Sequence, residues 1–81
     1  MKVKVLYFAA ARDIAGTSTE EVRLGEGETV EGLGELVMRR HPGLRKMERS
    51  VRYSVNAEVV RGRQGLKDGD VVGVLPPVAG G

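Results

Sequence analysis

The reactive inventory of this chain is short, and most of it sits at its last residue. The sequence closes Leu75-Pro76-Pro77-Val78-Ala79-Gly80-Gly81. Two residues without side chains leave a bare carboxylate at the tip of a segment narrow enough to thread a tight channel. A carboxylate is inert toward nucleophiles until it is activated. Adenylation by ATP makes it an acyl donor; a sulfur nucleophile then gives a thiocarboxylate, and an amine gives an amide. The rest of the sequence offers little chemistry. It has no cysteine and one histidine, His41. That removes disulfides, thiolate metal sites and a cysteine nucleophile, and disfavours a metal centre or a Ser-His arrangement. No G-x-x-x-x-G-K-[ST] loop is present, so ATP must be bound by a separate activating enzyme. With no thiol in the chain, any sulfur it carries belongs on Gly81. The competing reading is an ordinary frayed terminus. The double proline favours a functional tail, as does the lack of other low-complexity sequence, because disordered tails are usually longer and more polar.

Such a tail needs a rigid body to present it. Proline fixes φ and cannot donate to a strand ladder, so Pro76 and Pro77 end the last strand and send the chain out extended. Pro76 to Gly81 can span about 20 Å at roughly 3.3 Å per residue. The 81 residues suit one domain, expected over residues 1–75, with 76–81 as a flexible Gly-Gly tail. A chain this short has little volume for a deep pocket of its own.

The body reads as strands around one main helix. In Lys2–Ala9, Val3, Val5 and Tyr7 alternate with Lys2, Lys4, Leu6 and Phe8, the period of a strand. The second set turns apolar at Leu6 and Phe8, so this strand either becomes covered on both faces or presents an apolar patch. Ala9–Ala15 can form a turn or two of helix stopped by Gly16. Glu21–Leu24 alternates again and predicts a strand antiparallel to the first. Thr29 is placed to cap a helix, and Val30, Leu33, Leu36 and Val37 give that helix an apolar stripe. Gly32 and Gly34 weaken the helix but let it lie close on a sheet. Pro42 ends it by Arg40. Leu44, Met47 and Val51 fit a short helical turn. Arg52–Asn56 and Val59–Arg61 predict two strands around a tight turn at Asn56-Ala57-Glu58. After a turn at Lys67–Asp70, the apolar run Val71–Leu75 predicts a central strand buried on both faces. The order predicts an α+β roll, a mixed sheet packed on one helix, with the last strand beside the first.

Charge separates along the chain. Net charge is +2, with Glu20, Glu21, Glu26, Glu28, Glu31 and Glu35 preceding Arg39, Arg40, Arg45, Lys46, Arg49 and Arg52. The basic run defines a rival from another class, a small RNA-binding module using Arg39–Arg52. Tyr7, Phe8 and Tyr53 are the aromatics that could stack bases, and none lies inside the run, so nucleic acid is disfavoured. No signal-peptide-like run and no stretch of roughly 20 apolar residues is present, which predicts a cytoplasmic protein without a membrane partner.

Read together, VKVLYFAAARDIAG, ETVEGL, the HP after the helix, SVNAE, LKDGDVV and the terminal LPPVAGG resemble the small, sulfur-carrier subunits of molybdopterin synthases. The resemblance covers nearly the whole chain, and the order and spacing of the pieces make it specific. It implies the ubiquitin-like β-grasp fold. It implies that Gly81 is adenylated by a ubiquitin-activating-like adenylyltransferase and becomes a thiocarboxylate with sulfur from a donor enzyme. No bound cofactor or metal is implied, since the ATP is held by the activating enzyme. The tail, Pro76, Pro77, Val78, Ala79 and Gly80, would enter the active site of the large subunit, which holds the catalytic residues. There two sulfur donations to cyclic pyranopterin monophosphate build the dithiolene of molybdopterin, within a heterotetramer. By position Phe8, Val59 and Leu75 match the family's partner-contacting apolar patch; core packing is the alternative for each. Asn56-Ala57 departs from the commoner Asn-Gly, and Ala79 from a commoner Ser or Thr. Related carriers for thiamine synthesis or tRNA thiolation are usually shorter in the middle, so the segment from His41 to Val51 favours the molybdopterin member. A ubiquitin-like protein modifier, forming amides, is a further alternative.

Overall fold

Alternation at the start of the chain produces β1 (Lys2–Tyr7), whose Val3, Val5 and Tyr7 are buried while Lys2 and Lys4 are exposed. The computed structural model describes residues 1–77. The remaining elements are α1 (Ala9–Ala15), β2 (Thr19–Arg23), α2 (Val30–Arg40), a 3₁₀ helix (Pro42–Met47), β3 (Arg52–Val55), β4 (Glu58–Val60) and β5 (Val71–Leu75). The five strands form one mixed sheet in the order β2-β1-β5-β3-β4. β1 and β5 are parallel neighbours in its centre, and the other pairs are antiparallel. The expected roll and the pairing of the last strand with the first are therefore present.

One face of this sheet packs against α2. Val30, Leu33, Val37 and Met38 of the helix meet Val3, Val5, Val22, Val72 and Val74 in the core. Burying each such side chain contributes about 1.5–3 kcal/mol relative to leaving it in water. The Thr29 hydroxyl accepts from the Gly32 N–H at 3.3 Å, capping α2 as its sequence predicts. The next orphan donors are met by a loop: Val30 N–H donates to the Gln64 carbonyl and Glu31 N–H to that of Gly62, both at 2.9 Å. Gly34 serves close approach, since a Cβ there would lie 2.7 Å from the Tyr53 hydroxyl. α2 ends at Arg40 and α1 is stopped by Gly16 at φ 76°, both as expected.

Some boundaries differ. β1 stops at Tyr7, β2 begins two residues early at Thr19, and β3 and β4 lie at 52–55 and 58–60. The expected helical turn starts earlier, at Pro42, because proline is tolerated in the first turn of a helix. The larger difference concerns β5. It is covered by α2 on one face alone; Val71 and Leu75 on the other are partly exposed. Gly73 is buried there because, having no side chain, it is roofed by its neighbours. A run of apolar residues does not distinguish a second packed layer from an open apolar face.

Candidate functional site: the open sheet face and the tail exit

The face turned away from α2 is set by strand register. Thr19, Leu6, Gly73, Ser54 and Val59 follow one another across all five strands. A Cβ on Gly73 would lie 2.5 Å from Ser54 Oγ, 3.2 Å from the Phe8 ring and 3.8 Å from Leu75 Cδ2. These side chains therefore close over the glycine. Phe8 is 44% exposed and Val59 61%, the large hydrophobic side chains most open to solvent among the described residues. Phe8 and Leu75 come together around Gly73, and Val59 lies farther along the same face, opposite Ser54. For Phe8 and Val59, core packing is ruled out by exposure; Leu75 is half-buried at the edge of the patch.

The backbone fixes Phe8 without burying its ring. Its N–H donates to the Val74 carbonyl at 3.3 Å, and its own carbonyl accepts from Ala11 and Arg12 at 3.0 and 3.3 Å. Ala9 turns the chain into α1 at φ 47°, a left-handed conformation that a Cβ disfavours by about 1–2 kcal/mol. Beneath it Tyr7 is 2% exposed. Its hydroxyl donates to Glu20 at 2.7 Å, His41 Nε2 lies 3.2 Å from the same oxygen, and Arg40 approaches the other at 3.8 Å. Burial, and then the bond to Glu20, push the Tyr7 hydroxyl well above its ordinary range. Burial works against ionisation of Glu20, but bonds from Tyr7 and His41 and the charge of Arg40 outweigh it and hold the carboxyl low. This cluster ties the end of β1 to β2 and to the end of α2. Beside Pro42 at the end of α2, His41 gives no sign of this contact in the sequence, because its partner stands 21 positions earlier, too far for any local pattern.

At the other end of the face, Asn56 and Asp70 lock two turns together. The Asn56 amide donates to Asp70 at 3.0 Å, and its carbonyl oxygen accepts from Val71 N–H at 3.0 Å. The Lys67 N–H, with Asn56 adding to it, lowers the Asp70 carboxyl. Asn56 and Ala57 both have positive φ, 50° and 75°, so the turn has the geometry that Asn-Gly would fill without strain.

Half of the basic run is engaged in ion pairs, while Lys46, Arg49 and Arg52 form none among the described residues. Arg39 and Arg45 bind Glu35, Arg45 also binds Glu48, and Arg40 faces Glu20. The Arg45 guanidinium holds the Glu35 carboxyl below its ordinary range. Among the described residues no group of His, Cys, Asp and Glu is placed to hold a metal ion. No described helix is long and apolar enough to cross a membrane.

β5 delivers the tail to the edge of the open face. Leu75 registers with Arg52, Pro76 is half-buried and Pro77 is exposed. Val78, Ala79, Gly80 and Gly81 lie outside the described residues. The sequence model of the ThiS family matches residues 5–81. The molybdopterin synthase sulfur carrier subunit of Chlamydomonas reinhardtii is 39% identical, with 100% of both chains covered. A Pyrococcus furiosus structure assigned as molybdopterin converting factor, subunit 1, superposes with TM-score 0.87 at 42% identity, over 96% of this chain and 99% of that one. The small archaeal modifier protein 1 of Methanosarcina acetivorans gives TM-score 0.81 at 31% identity, over 99% and 96%. A family match that runs to the final glycine, on a β-grasp body shared with these relatives, means that the chain belongs to the ThiS family.

Proposed function

We propose that this chain is the sulfur carrier of a molybdopterin synthase, with Gly81 as its only reacting residue. The observation that carries the reading is the Gly80-Gly81 carboxylate behind Pro76-Pro77, in a chain with no thiol whose full length matches named sulfur carrier subunits. The terminal carboxylate oxygen attacks the α-phosphorus of ATP held by the adenylyltransferase, and pyrophosphate leaves. Hydrosulfide released by a donor enzyme attacks the acyl carbon and expels AMP, leaving a thiocarboxylate. The tail, residues 76–81, then carries that sulfur into the large subunit, where it is donated to cyclic pyranopterin monophosphate. Hydrolysis of the acyl–sulfur bond restores the carboxylate. Phe8, Val59 and Leu75 dock the body while the tail reaches in. The chain brings no cofactor and works in the cytoplasm, within a heterotetramer.

Deleting Gly81 tests this. Sulfur transfer to the precursor in a reconstituted synthase is expected to vanish, while thermal unfolding of residues 1–77 is unchanged. Transfer that survives the deletion overturns the proposal. A second reading, a protein modifier forming amides, is favoured by the similarity to the archaeal modifier. It predicts lysine-linked conjugates after activation, which the carrier reading does not require.

A further inference from the structure

The apolar centre of the open face has charged ends. Lys4 registers with Val71 at one end of β5, and Arg52 registers with Leu75 at the other. Both are exposed, and neither forms an ion pair among the described residues. Glu21, which registers with Lys4, is engaged instead by Lys2 at 3.4 Å. From Val71 to Leu75 the strand advances about 13 Å at roughly 3.3 Å per residue. Midway, Ser54 registers with Gly73. Its hydroxyl stands among Gly73, Phe8 and Leu75 and makes no hydrogen bond among the described residues. Covering this face with a purely apolar surface would strip water from one hydroxyl and bring two cations against hydrocarbon, both unfavourable.

Resting on the reading that a partner covers this face while taking the tail, we infer that its docking surface carries two carboxylates roughly 16 Å apart, about 13 Å along β5 and about 10 Å across it from β1 to β3, set against Lys4 and Arg52, and a hydrogen-bond acceptor between them for Ser54. The tail leaves β5 one residue past Leu75, beside Arg52, so whatever receives the tail meets this charged end first. The carboxylates orient the partner along β5, and Ser54 fixes its register, because a shift in either direction leaves the hydroxyl unpaired. The face suits a protein better than a nucleic acid, since the surface between the two cations is Leu6, Gly73, Phe8 and Leu75, with no further cation.

Calorimetric titration of the full chain against the large synthase subunit tests the inference. Arg52→Glu and Lys4→Glu should each weaken binding at least about fivefold, and wild-type affinity should fall as salt rises. Ser54→Ala should weaken it about fivefold without changing the salt dependence. Lys46→Glu, on the 3₁₀ helix away from this face, serves as control and should bind as wild type. Thermal melts confirm that each variant is folded. Charge reversals and Ser54→Ala that bind like wild type, alongside normal sulfur transfer, overturn the inference and leave the carrier function standing. Loss of sulfur transfer from Gly81 in the wild-type chain overturns the carrier function itself. RNA binding by the wild type that disappears in Arg52→Glu overturns the inference in favour of nucleic acid.

Discussion

On the helix side of the sheet, Val3, Val5, Val22, Val72 and Val74 are at most 1% exposed; on the other side Phe8 is 44% and Val59 61% exposed. The same strands build both faces, one residue out of phase. The covered face packs against α2 and is apolar apart from the Tyr7 and Tyr53 hydroxyls and Glu20, which registers with Val5. The open face mixes Leu6, Phe8, Val71 and Leu75 with Gly73, Ser54, Lys4 and Arg52. Side chains of the first kind hold the fold, and Phe8 and Val59 of the second kind are left open to solvent. The packed layer lies on one side of the sheet, where Ala11, Leu44, Met47 and Leu66 complete the cover that α2 provides, and the other sheet face is left open.

Substitutions should separate the two faces. Leu33→Ala, at a fully buried position of α2, should lower unfolding free energy by roughly 3 kcal/mol through lost burial and a cavity. Chemical denaturation measures this, and partner affinity of the folded fraction should not change. Glu20→Ala should cost about 1–3 kcal/mol at neutral pH, because the Tyr7 hydroxyl loses its acceptor. The wild type should show the matching pH dependence. Glu20 titrates lower in the folded chain than its ordinary value of 4.5, so its contribution is complete above that value. It is lost as pH falls through the lowered folded value, and Glu20→Ala should flatten the acid limb of the stability profile. Ala57→Gly should raise stability by roughly 1 kcal/mol, since φ 75° suits glycine. Smallest of all, Val59→Ser should change stability by less than about 0.5 kcal/mol yet weaken partner binding. A Val59→Ser that unfolds the protein, or a Leu33→Ala that does not, would erase the distinction between the faces.

Much of this division is legible in the sequence because it is local. The alternation of Val3, Val5 and Tyr7 against Lys2 and Lys4 gives β1 its inner face, and Thr29, Gly16 and Pro42 mark helix ends by their own backbone chemistry. The end of β5 at Leu75 follows from Pro76 and Pro77, which cannot donate to a strand ladder. What escapes is long-range. The Tyr7–Glu20–His41 cluster joins three elements, and the carbonyls of Gly62 and Gln64 cap α2 from a loop more than thirty positions away. The apolar run Val71–Leu75 looks alike whether its second face meets a layer or a partner, so the openness of β5 is decided only by what packs there. Ser54 and Lys4 gain meaning only once register sets them beside Gly73 and Val71.

The central claim, that sulfur travels on Gly81, is tested most directly by intact mass spectrometry of the chain after incubation with ATP, the activating enzyme and a sulfur source. Replacement of one terminal oxygen by sulfur, confined to a C-terminal fragment containing Gly81, is the expected result. An unchanged mass in a mixture that loads another carrier, or sulfur found anywhere but the terminal carboxylate, would contradict it.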